Sequence, residues 1–175
     1  MKIYIDFTYG YDFCFKGTFR AGLSLALFLK NKLNKKVICL CSSKKDKDYI
    51  LTQNLEVKQI SLSKNKYIRN LSRFFIFYYL QFRNSSSNFI FVGTFNPLAP
   101  FKGVSLLHDL YIIDMPFVYG FFERLFYKYI VIKTALNSKK IIVLSETLSN
   151  RVKYLYKKNN LLIYRYVPDL SIKKE

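Results

Sequence analysis

A single histidine, His108, follows the apolar run of residues 104–107 and is followed by Asp109. A histidine at the carboxyl end of a strand can donate to a substrate hydroxyl or phosphate, or act as an acid or base near neutral pH. A loop histidine bonded to a neighbouring carbonyl is the competing reading. A second candidate is the segment 12–20, which carries Lys16, Gly17 and Arg20 where a first helix should begin. Gly17 would let the backbone approach a ligand, and a helix N-terminus favours an anion. The glycine fingerprint of a dinucleotide site is absent, so a plain strand-to-helix turn fits the same residues. Ser145 and Glu146 follow a later apolar run. There Ser145 can cap a helix, with the Glu146 carboxylate favouring the dipole of its first turn. Asp46-Lys47-Asp48 has the spacing of a two-aspartate metal motif, but the surrounding lysines oppose a cation and acids commonly start helices. Cys14, Cys39 and Cys41 show no paired-ligand spacing and read as reduced core thiols.

Short apolar runs alternating with longer amphipathic ones must position these residues, the pattern of β-α units on a parallel sheet. Strands are expected at residues 2–7, 36–41, 57–62, 88–92, 104–107, 139–144 and 161–167. Helices are expected at 17–33, 45–53, 66–82, 117–137 and 146–157. The fold class is therefore α/β: a doubly wound, mostly parallel Rossmann-like sheet with helices on both faces. Ligands of such sheets sit at the carboxyl ends of the strands, so the loops 8–16, 93–102, 108–116 and 145–146 are where function should lie.

The length of 175 residues bounds the chain to one domain with a sizeable core, and 51% hydrophobic residues argue against disorder. A net charge of +18 draws it to polyanions: nucleic acid, anionic lipid or phosphorylated small molecules. Part of that excess has the look of AT-rich coding sequence, in which Lys, Asn, Ile, Phe and Tyr rise together. Asp6 interrupts the position of a secretory apolar run, and the later apolar stretches are too short or too charged to span a bilayer, so a cytoplasmic protein is expected. Two stretches, 64–83 and 116–140, mix cations with aromatic rings. Such helices can lie in a membrane interface or stack single-stranded bases. Packing on the sheet would account for most of the rings, though not for the cations beside them.

These residues resemble the N-terminal, acceptor-side half of a GT-B glycosyltransferase of the family 4 type. Residues 106–110, Leu-Leu-His-Asp-Leu, then Pro116, Arg124-Leu125-Phe126-Tyr127 and residues 141–146, Ile-Ile-Val-Leu-Ser-Glu, follow the family's run of a strand ending in His-Asp-Leu, a long basic and aromatic helix, and a strand ending in Val-Ser-Glu. Gly17-Thr18-Phe19-Arg20 is similar to the family's glycine-rich turn, with Phe19 where a second glycine is usual. Residues 161–169 resemble the strand leading to the interdomain hinge, which places the domain at 1–167 and the start of a linker at 168–175.

The resemblance implies a retaining transferase that moves a sugar from a nucleotide-sugar donor to a lipid-linked or glycan acceptor without a metal or other cofactor. It would be peripheral on the inner face of an anionic membrane, with nucleic acid not among its partners. It implies His108 as the residue contacting the transferred sugar, and Lys16, Gly17, Arg20, Asp109, Ser145 and Glu146 as substrate-binding residues. The nucleotide-holding half, with its paired glutamates, has no counterpart in these residues, so a C-terminal donor-binding domain or subunit is implied. A basic nucleic-acid-binding α/β module is the alternative function.

Overall fold

The computed structural model describes residues 2–12, 14, 16–84, 87–93, 103–107, 110, 117, 120–157 and 161–164. Seven apolar runs form strands: β1 (Lys2–Asp6), β2 (Lys36–Cys41), β3 (Glu56–Gln59), β4 (Asn88–Val92), β5 (Val104–Leu107), β6 (Lys140–Val143) and β7 (Leu161–Ile163). They pair in parallel throughout, in the order β3-β2-β1-β4-β5-β6-β7. The central strands are covered on both faces, which explains why they read as nearly continuous apolar runs. Between them lie α1 (Gly17–Asn31), α2 (Lys44–Thr52), α3 (Lys66–Arg83), α4 (Phe121–Asn137) and α5 (Glu146–Tyr156).

Helices α1 and α2 pack on one face, over Ile3, Ile5, Val37, Cys39, Ile90 and Val92. On the other face α3 covers Tyr4, Ile38, Leu40, Phe89 and Phe91, and α4 and α5 cover Leu107, Ile141 and Val143. Phe91 pairs with Ser105 and Ser105 with Ile141, so the α3 cluster shares a face with that of α4 and α5. The fold is a Rossmann-like doubly wound α/β sheet. From β1 the chain steps outward to β3 and then returns to β4, which puts the topological switch point between β1 and β4.

Several boundaries differ from expectation. Strand β3 stops at Gln59, although Ile60 N–H still donates to the Cys41 carbonyl. Helix α1 ends at Asn31, three residues before Asn34 takes a positive φ of 49°. Helix α4 starts at Phe121, after Gly120 at its N-cap, rather than at 117. Strand β7 ends at Ile163; the remainder of the expected strand past residue 164, and the linker at 168–175, lie outside the described residues. Asn65 and Ser145 cap α3 and α5 as side-chain acceptors, and Ser43 does the same for α2.

Cys14, Cys39 and Cys41 are buried and free, as the reading of core thiols expects. Burial pushes the Cys39 and Cys41 thiols up to about 12 and raises that of Cys14 as well, so all three stay protonated at neutral pH.

Candidate functional site at the carboxyl edge

The carboxyl end of β1 carries a buried charge pair that the sequence reading missed. Asp6 Oδ1 accepts from Thr8 N–H at 2.8 Å and from the Thr8 hydroxyl at 2.5 Å. Its other oxygen takes an Arg73 guanidinium N–H, and both side chains are sealed from solvent. Arg73 Nε donates to Thr8 Oγ1 at 3.0 Å and Nη1 to Asn70 Oδ1 at 3.3 Å. Its guanidinium lies 5.7 Å from the Tyr9 ring centroid and 5.9 Å from that of Phe77. One helical turn earlier, Arg69 donates from Nε to the Tyr9 carbonyl at 3.2 Å and from Nη1 to the carbonyls of Ser63 and Lys64. Breaking such a buried pair from one side leaves a stranded charge, which makes it costly to remove.

The loop that follows is tied down from the opposite side. Ser42 Oγ donates to the Gly10 carbonyl at 2.8 Å, and Cys14 N–H donates to Asp46 Oδ1 at 2.8 Å. Asp46 Oδ2 accepts from the Ser43 hydroxyl, so this carboxylate is buried and used in joining the start of α2 to the loop. Asp46 is thereby accounted for as a structural residue, while Asp48 is exposed. Among the described residues no three His, Cys, Asp or Glu side chains cluster so as to hold a metal ion.

Tyr9 closes the switch point. Gly93, just past β4, has φ of 114°, a conformation that L side chains rarely adopt, and a Cβ there would sit 3.2 Å from the Tyr9 ring. Gly22, within α1, lies against the same strands. A Cβ on it would fall 2.6 Å from Val92 and 2.9 Å from Phe7, so glycine lets α1 seat directly against β1 and β4.

Among the expected site residues, Lys16, Gly17 and Arg20 fall together at the amino end of α1, all exposed. Among the described residues no side chain caps this helix, and Arg20 N–H makes its first turn to the Lys16 carbonyl. The open amides of that first turn and two cationic side chains form an edge suited to an anion. Ser145 and Glu146 stand at the same edge after β6, with Ser145 Oγ accepting from Leu148 N–H at 3.1 Å. Three strand spacings separate β1 from β6, roughly 14 Å, so the two groups share an edge without touching. His108 and Asp109 lie outside the described residues; Leu107, which precedes them, ends β5 between those two positions.

The missed residues left one signal in the sequence. A carboxylate closing a buried strand calls for strong donors, a cation among them, and Arg69 and Arg73 are four apart, in register with Phe77 on one helical face. No protein family, curated protein or solved structure matches the chain.

Proposed function

We propose that the chain is the acceptor-side half of a GT-B glycosyltransferase, which moves a sugar from a nucleotide-sugar donor to a lipid-linked or glycan acceptor together with a donor-binding half. The observation that carries the reading is the switch point of the seven-stranded parallel sheet. There the uncapped start of α1, with Lys16, Gly17 and Arg20, faces the carboxyl edge. In this reading Lys16 and Arg20 bind the acceptor or donor phosphate with the amides near Gly17, and His108 contacts the transferred sugar beside Asp109. Ser145 and Glu146 border the cleft. The clamp of Arg69, Arg73, Asp46 and Ser42 holds the phosphate loop in place before substrate arrives, which lowers the ordering cost of binding. No helix among the described residues is long and apolar enough to cross a membrane. A membrane-linked acceptor would therefore be met from the surface by these residues.

Transfer from radiolabelled nucleotide sugars to membrane lipid extracts, with a complementing donor-binding half supplied, tests the proposal. Transfer that falls at least about tenfold in His108→Ala and in Lys16→Gln/Arg20→Gln, with the fold intact, supports it. Absence of transfer with every donor half tried, or transfer unchanged in both variants, contradicts it. Salt-steep binding to oligonucleotides instead would favour the nucleic-acid module.

A further inference from the structure

Helix α3 is inverted. The side turned to the sheet carries Arg69, Arg73, Phe77 and Leu80, while Ile68, Leu71, Phe75, Tyr78 and Phe82 form one stripe on the opposite side, all exposed. Phe75 is 63% exposed and Phe82 84%. The expectation that packing on the sheet accounts for most rings of the stretch 64–83 is therefore corrected: of its seven aromatic residues only Phe77 is buried, because the inner face is taken up in pairing Asp6 and supporting the loop. The helix contains no acidic residue; its cations outside the core are Lys66 at one end and Arg83 at the other, with Lys64 just before it. The apolar stripe between them carries no charge of its own. At the amino end the surface continues onto α4 through the Lys66–Glu123 ion pair, and there Phe121 and Phe122 are exposed as well.

At the carboxyl end lies a cleft of about 360 Å³ lined by Tyr4, Lys58, Tyr79, Leu80, Arg83 and Asn84. Two cations share it without a carboxylate: Arg83 donates to the Tyr79 hydroxyl at 3.0 Å, and Lys58 makes no ion pair among the described residues. Of the last carbonyls of the helix, those of Leu80 and Gln81 accept from Asn84, and the two cations offset the negative end of the helix dipole.

We propose that the outer face of α3 lies in the interface of an anionic lipid bilayer, with the Lys58–Arg83 cleft taking a lipid headgroup phosphate. A stripe of rings and aliphatic side chains with cations only at its ends matches acyl chains below an anionic headgroup layer. Nucleic acid would need cations along the stripe to follow its phosphates. A second copy packed antiparallel on α3 would bring Lys64 and Lys66 against Arg83, and both copies carry +18. This inference deepens the membrane-linked part of the proposed function and needs no sugar donor, so each can fail without the other.

The test is flotation of the full chain with vesicles of phosphatidylcholine alone or with phosphatidylglycerol added. The chain floats only with the anionic vesicles. Phe75→Ser/Phe82→Ser lowers the partition at least about tenfold, and Lys58→Gln/Arg83→Gln lowers it about fivefold per charge removed. Circular dichroism keeps both variants folded, since the changed side chains lie outside the core. No flotation, equal flotation with both vesicle types, or flotation unchanged in either variant overturns the proposal. So does oligonucleotide binding or self-association that the Phe75→Ser/Phe82→Ser variant abolishes in place of vesicle binding.

Discussion

Helices α1 and α3 cover opposite faces of β1 and resolve the same problem in reverse. Helix α1 turns Phe19, Leu23 and Ala26 inward and approaches so closely that Gly22 meets Val92 and Phe7. Helix α3 turns two arginines inward and leaves its aromatic stripe outside. The difference lies in what each finds on the strands. On the α1 side β1 and the residue after it offer Ile3, Ile5 and Phe7; on the α3 side the strand ends in the Asp6 carboxylate, which the buried Arg73 guanidinium pairs. An apolar stripe shows that a helix face seeks apolar surroundings. It does not say that those surroundings are the protein's own interior.

The largest expected effect is on the inner face of α3. Arg73→Leu strands the Asp6 carboxylate and should cost about 3–5 kcal/mol in urea unfolding. Asp6→Asn/Arg73→Leu should cost less than that single change; an equal or larger loss would show that the pair is not what orients α3. Next comes the seat of α1. Gly22→Ala drives a methyl group into Val92 and Phe7, and should cost about 1–3 kcal/mol by the same measurement. A neutral result would mean that α1 can lift from the sheet.

The outer face of α3 should behave in the opposite way. Phe75→Ser should change stability by no more than about 0.5 kcal/mol, because that ring gives up little contact on unfolding. A loss comparable to a core ring would contradict the inverted arrangement. The sealed character of the α1 side predicts an effect that is absent at neutral pH and develops only in alkali. The Cys39 and Cys41 thiols are held up to about 12 by burial, whereas exposed thiols in the unfolded chain ionise near 9. The unfolded chain therefore releases protons first, and stability should decline as pH rises from about 9 towards 12. Cys39→Ala/Cys41→Ala should flatten that decline, and in the unsubstituted chain both thiols should resist alkylation at pH 8 until urea is added.

Alternation of apolar runs was enough to read the strand positions, because strands buried on both faces leave nearly continuous apolar segments whose spacing reports the crossovers. Their ends were less legible. Strand β3 at the sheet edge has only one neighbour, and its residues Glu56, Lys58 and Gln59 are exposed. At the edge carrying the site, Lys16, Gly17 and Arg20 could be placed because glycine and cations before a helix leave a local pattern. The clamp beneath them joins Asp6 to Arg73 and Cys14 to Asp46, separations of 67 and 32 residues, and no local pattern encodes such pairings. The orientation of α3 is hidden for the same reason, since the residue that pairs its Arg73 lies on β1, 67 residues away.

The chain contains no tryptophan, so a single introduced one reports on its own surroundings. The most direct measurement compares Phe75→Trp with Phe77→Trp, two positions on opposite sides of α3, by emission before and after anionic vesicles are added. With the helix inverted, Trp at 75 emits as a solvent-exposed indole in buffer and shifts to the blue with vesicles, while Trp at 77 is blue in both. Blue emission from position 75 in buffer, or no shift there with vesicles, would contradict an α3 that presents its aromatic face to a bilayer.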